Sequence, residues 1–180
     1  MDGEFQHKEE ARALAYLRDA LGDLELAENA LEAELFEGSL FHSQQGIEKC
    51  MKAILALFGI LIAKEHRISD LFSKEVEIFE AEIKEKFKRL LPSIEDIEWY
   101  YIPTRYSVSI SGDIYLRAFS ENAAINAYKT SNTFLETSFE LIELKIGKEL
   151  PKVKKELLEY LKKEYKDVVK SLPDKDERRD

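Results

Sequence analysis

The sequence is poor in the residues that staple, kink or interrupt a chain. It has one cysteine, Cys50, in 180 residues, so no disulfide can form within the chain and no multi-cysteine metal site exists. Its seven glycines and four prolines are too few for a turn-rich β-protein. The histidines number three, His7, His42 and His66, which leaves little for a histidine-based metal centre. Neither His42 nor His66 has a Glu three residues earlier. The Glu4–His7 pair has that spacing but no second pair to face it, so no metal and no cofactor are expected. No Gly-rich phosphate loop, GxSxG elbow or HExxH motif occurs. The longest apolar run, "AILALFGILIA", has 11 residues and is too short to cross a bilayer as a helix. The N-terminus "MDGEFQHKEE" lacks an apolar signal core, so a cytoplasmic location and no membrane partner are expected.

What the chain has is charge and helical periodicity. Charged residues make up 35% and hydrophobic residues 44%, enough for a core under a Glu/Lys-rich surface. The formal net charge is −9, and residues 1–37 carry 11 acidic against 3 basic groups. Such a surface repels phosphate backbones, so a DNA partner is not expected, while a local basic spot can still take a nucleotide or an RNA end.

Ala13, Leu17, Ala20, Leu24, Ala27 and Leu31 recur in steps of four and three, which predicts a first helix from about Lys8 to Phe36. "EGS" should end it, with Ser39 as the next N-cap. A second helix is predicted over Leu40–Ala63, and a third over Leu71–Leu91 on the stripe Phe72, Val76, Phe79, Ile83, Phe87 and Leu90, with Pro92 just beyond it. Residues 92–113 show no helical stripe and read as a long connection in which Trp99–Ile102 could cap the core. A fourth helix is predicted from Ile114 to Gly147. Its stripe is Ile125, Tyr128, Asn132, Leu135, Phe139, Ile142 and Ile146, and a second, small-residue track follows Ala124, Ala127, Ser131, Phe134, Ser138 and Leu141. Pro151 should open a fifth helix.

The fold class is therefore all-α: an up-and-down four-helix bundle over residues 1–147, an added C-terminal helix within 148–172, and a disordered tail at 173–180. The Ala/Leu face of the first helix and the small track of the fourth are candidate interfaces of a homodimer.

Polar residues gather in three places. In "FHSQQGIEK", Gln44 stands where the apolar stripe of the second helix should carry a leucine, beside His42, Gln45, Glu48, Lys49 and, one turn on, Lys52. A buried amide is costly without partners, so Gln44 marks either a site or a satisfied core amide. For Glu48 and Lys52, an ordinary surface ion pair is the competing reading. His66 and Arg67 form the second group, and also fit a plain loop. In "YIPTRYS", Arg105 and Tyr106 offer a guanidinium suited to phosphate or carboxylate; a structural salt bridge to Glu48 is the alternative. Tyr128 and Asn132 are candidates for a far wall of one pocket.

"FHSQQGIEKCMKAILALFGI", then "EHRISDLF", then "YIPTRYS", in this order, resemble the HEPN domain family over roughly residues 10–147. The resemblance implies a four- to five-helix bundle that often dimerises. It also implies pairing with a minimal nucleotidyltransferase, in modules that include toxin–antitoxin pairs. Many members are metal-independent ribonucleases carrying Arg, four to six residues, then His in the last bundle helix. No histidine of this chain has that context, and none follows Arg117. Ser107 stands where proline is common, and Gly46 where alanine is usual. The resemblance thus points to a binding module for a nucleotide, phosphorylated ligand or nucleotidyltransferase partner, with no catalytic residue carried over. Two alternatives stand: a ribonuclease toxin using Arg105 with His42 or His66, and a purely structural dimeric bundle.

Overall fold

The computed structural model describes residues 2–60, 68–99 and 119–168. Helix α1 spans Asp2–Glu32, α2 Phe36–Leu57, α3 Ile68–Glu75, α4 Ala81–Glu98, α5 Glu121–Ile146 and α6 Lys154–Glu164, with a 3-10 turn at Val76–Ile78. No strand occurs among the described residues. The protein is all-α, and α1, α2, α4 and α5 form the bundle.

The stripe of α1 is buried as its spacing requires: Ala13, Leu14, Leu17, Ala20, Leu24 and Ala27 are all in the core. They face α2, and Gly46 of α2 lets the helices close. A methyl group placed on Gly46 would lie 3.3 Å from the Leu24 side chain. The small track of α5 lies against α2. Ser131 donates to the carbonyl of Ser43 at 2.9 Å and to that of Ala127 at 2.8 Å. Both faces expected at a dimer interface are therefore used inside the chain. Phe72, Phe87 and Phe134 join α3, α4 and α5, with ring centroids 5.0–5.5 Å apart. Helix α6 lies on α1, where Tyr165 donates to Glu10 at 3.0 Å and His7 stacks on Tyr165 at 4.5 Å.

Several boundaries differ from the sequence reading, each for a local reason. α1 ends at Glu32 in a Schellman motif. Glu34 takes φ 58°, Glu34 N–H donates to Leu31 at 3.1 Å, and Leu35 N–H donates to Ala30 at 2.8 Å. The left-handed position usually belongs to glycine, so a glutamate there hides the stop. α2 already begins at Phe36. "EGS" is its first turn, and Ser39 is a fully buried helix residue rather than an N-cap. α2 ends at Leu57, where Gly59 turns the chain with φ 68°.

The predicted third helix is two helices. Phe79 is extended (ψ 160°), which breaks the run with no glycine or proline to announce it. Phe72, Val76, Phe79, Ile83 and Phe87 are nevertheless all buried, so the stripe survives the break. Pro92 sits inside α4. The helix continues beyond it because Ile94 and Ile97 fill the core. Trp99 is 72% exposed, and the rest of the expected cap, residues 100–102, lies outside the described residues. α5 is capped by Ser120, whose side chain accepts from Ala123 N–H, and it closes at Gly147 with φ 73°. The predicted start at Ile114 falls outside the described residues. α6 starts at Lys154, after an extended Val153, rather than at Pro151.

Candidate functional site

At 3.6 residues per turn, α2 presents two polar edges flanking one solvent-facing strip. The first edge faces α4. Gln44 is buried, and its amide is satisfied within its own helix. Its carbonyl accepts from Gln45 Nε2 at 2.6 Å, and its Nε2 donates to Glu48 Oε2 at 3.3 Å. Glu48 Oε1 in turn accepts from Lys52 Nζ at 2.6 Å. Beside this chain a narrow crevice, lined by Ile47, Met51, Ile94 and Ile97 with Gln44, Glu48 and Glu98, separates α2 from α4. Gln44 can occupy a leucine position because each end of its amide has a partner.

The second edge faces α1 and is built on a residue the sequence reading passed over. Asp23 is a buried carboxylate, its side chain 10% exposed. His42 Nδ1 donates to its Oδ1 at 3.0 Å, and Lys49 Nζ pairs with its Oδ2. The bond to Asp23 fixes the His42 tautomer and leaves Nε2 as the outward nitrogen. The ring also meets Phe41 edge-on at 5.1 Å. A signal for Asp23 was available. It sits three residues after Ala20 and four before Ala27, on the apolar face of α1, where a carboxylate needs partners.

The structure brings His42, Gln45, Glu48, Lys49 and Lys52 onto one stretch of α2, with Gln44 beneath them. It does not bring Tyr128 to them. Tyr128 is turned toward α1, where burial, then the hydrogen bond to Glu28, push its hydroxyl up to about 12. Asn132 is half-buried one turn further along that side of α5. Tyr128, expected on a far wall, therefore belongs to the α1–α5 contact. Arg105, Tyr106 and His66 lie outside the described residues, and so does the Arg105–Glu48 salt bridge considered from the sequence. Glu48 is paired with Lys52 within α2. Cys50 is fully buried, and burial pushes its thiol up to about 12 despite a hydrogen bond with Ser138, so it stays protonated and unreactive. Among the described residues no cluster of three or more potential metal ligands occurs.

Together the two edges offer polar groups to solvent. Lys49 and Lys52 are part-exposed donors held by Asp23 and Glu48, Gln45 donates to both Gln44 and Glu48 and so leaves its carbonyl as an acceptor, and His42 adds a ring nitrogen. The lysines and carboxylates balance, so the edge offers directed hydrogen bonds rather than a strong positive field.

Comparison with known proteins agrees with the family resemblance. A family model described as HEPN domain matches residues 13–142. A curated protein named "Putative toxin MJ1304", from Methanocaldococcus jannaschii, is 31% identical over 141 residues, which cover 75% of this chain and 91% of that one. No solved structure matches. The matched span runs from the buried stripe of α1 through most of α5, and on that ground the chain belongs to the HEPN domain family.

Proposed function

We propose that this HEPN-family chain is a binding module that does not cut RNA. It holds a nucleotide or other phosphorylated ligand at the solvent edge of α2, and it works beside a minimal nucleotidyltransferase in a two-component, toxin–antitoxin-type pair. The observation that carries the reading is the set of preorganised donors on α2. Each of Gln45, Lys49 and Lys52 is held by a neighbour, so little side-chain freedom is lost when a ligand arrives. Arg105 supplies the guanidinium for phosphate, and the chain itself is a homodimer. His42 is tied to a carboxylate rather than to a guanidinium, and the family's Arg/His spacing is missing, which favours holding over cleavage. Titration calorimetry with ATP, GTP and short RNAs tests this, with product analysis of each RNA afterward. No heat at millimolar ligand overturns it.

The relative's name favours a second reading, a toxin that cleaves RNA with Arg105 and either His42 or His66. That reading requires cleavage by the native chain that disappears in Arg105→Ala and in one of His42→Ala or His66→Ala.

A further inference from the structure

Beyond the α2 edge, α4 and α5 enclose an open cleft of about 430 Å³, within the size range of small-molecule and peptide sites. Its floor is Ile97 and Ala127, both buried; its walls carry Asp96 on α4 and Asn126, Lys129 and Thr130 on α5. Among the described residues these four polar side chains make no hydrogen bond and no ion pair, although Asp96 and Lys129 border the same space. Other surface charges, such as Lys86 with Glu140 and Lys88 with Glu77, are paired, so a ligand reaching them must first displace a partner, which is not the case for Asp96 and Lys129. The cleft therefore holds one negative and one positive group apart, with an amide and a hydroxyl beside them and a small apolar floor beneath.

We propose that this cleft docks an extended, mixed-charge polypeptide segment of a partner protein. A Lys or Arg of the segment meets Asp96, and an Asp or Glu meets Lys129. Asn126, which can both donate and accept, pairs with a peptide unit, and a small apolar side chain rests on Ile97 and Ala127. Charge decides the occupant. One carboxylate and one ammonium cancel, and no arginine is among the lining residues to grip a phosphate, so a polyphosphate or nucleic acid gains no net attraction there. A segment carrying both signs in the right order gains two ion pairs. The cleft uses none of the α2 donors, so the proposal stands or falls separately from the ligand reading above.

The test uses the full-length protein and blocked hexapeptides that pair one Lys or Arg with one Asp or Glu, about two to four small residues apart, in both orders. Trp99, the sole tryptophan, lies one helical turn beyond Asp96, and its fluorescence reports binding. Saturable binding tighter than about 1 mM is expected for one charge order. Asn126→Phe, a change at an exposed wall position that fills part of the cleft and leaves Trp99 the sole tryptophan, should weaken it at least about tenfold, a difference of about 1.4 kcal/mol. The double variant Asp96→Lys/Lys129→Glu should prefer the opposite order. The proposal is overturned if no peptide saturates, if ATP displaces the peptide, or if the charge swap leaves the order preference unchanged. Circular dichroism of each variant confirms that it is folded.

Discussion

The buried Asp23 carboxylate makes the most demanding energetic prediction. Its two oxygens are divided between His42 and Lys49, and its side chain is 10% exposed. Replacing Lys49 by Met removes the ammonium but keeps most of the stem. Oδ2 is then left without its partner. Breaking a fully buried pair this way costs about 3–5 kcal/mol. Here Lys49 is 30% exposed and His42 remains, so solvent and the imidazole recover part of that. The expected loss is about 2–3 kcal/mol. At about 2–4 °C per kcal/mol for a chain of this size, Tm should fall by about 4–12 °C. Asp23→Asn keeps the shape and removes the charge. Lys49 can then turn to water, so that loss should be smaller, about 1 kcal/mol. The double variant Asp23→Asn/Lys49→Met should be more stable than the sum of the single losses by about 1–2 kcal/mol. Urea melts of the four proteins measure this. Additivity within about 0.5 kcal/mol would show that the pair contributes no coupling and would refute the reasoning.

Other outcomes follow from single positions. Glu34→Gly relieves a left-handed backbone and should stabilise by about 1 kcal/mol, read from a denaturant midpoint. Pro92→Ala restores an N–H donor inside α4 and should add about 1–3 kcal/mol in the same assay. Gly46→Leu drives a side chain into Leu24 and should cost about 1–3 kcal/mol. Tyr128 titrates near 12, above the ordinary value of about 10, so the folded state favours its protonated form. Its contribution is complete below about pH 10 and is lost as pH rises toward 12, and Tyr128→Phe should flatten that part of the stability profile.

The sequence carries the core more clearly than the boundaries. Every stripe residue of α1 from Ala13 to Ala27 is buried, because 3.6-residue periodicity records which face must leave water. The breaks are less legible. Glu34 occupies a glycine's conformation, Phe79 interrupts a helix while keeping its stripe, and Pro92 stays inside α4 because Ile94 and Ile97 are needed in the core. At Phe79 and Pro92 tertiary burial outweighs local preference.

The site was legible on α2, where an amide in an apolar stripe marks Gln44. The sequence could not say that Gln44 is satisfied by Gln45 and Glu48, its own helical neighbours. Asp23 went unnoticed because its partners, His42 and Lys49, are 19 and 26 residues away. Tyr128 shares an apolar-looking stripe with Leu135, but its hydroxyl lies on the side of α1, near Glu28.

The central claim is that this family member holds a phosphorylated ligand without cleaving it. Calorimetry of the native protein with ATP, GTP and a short RNA, followed by analysis of the RNA for cleavage products, tests it most directly. The account predicts saturable heat with at least one of the three, weakened in Lys49→Met and in Arg105→Ala, and RNA recovered intact. RNA cut by the native protein, or no heat with any ligand at millimolar concentration, would contradict it.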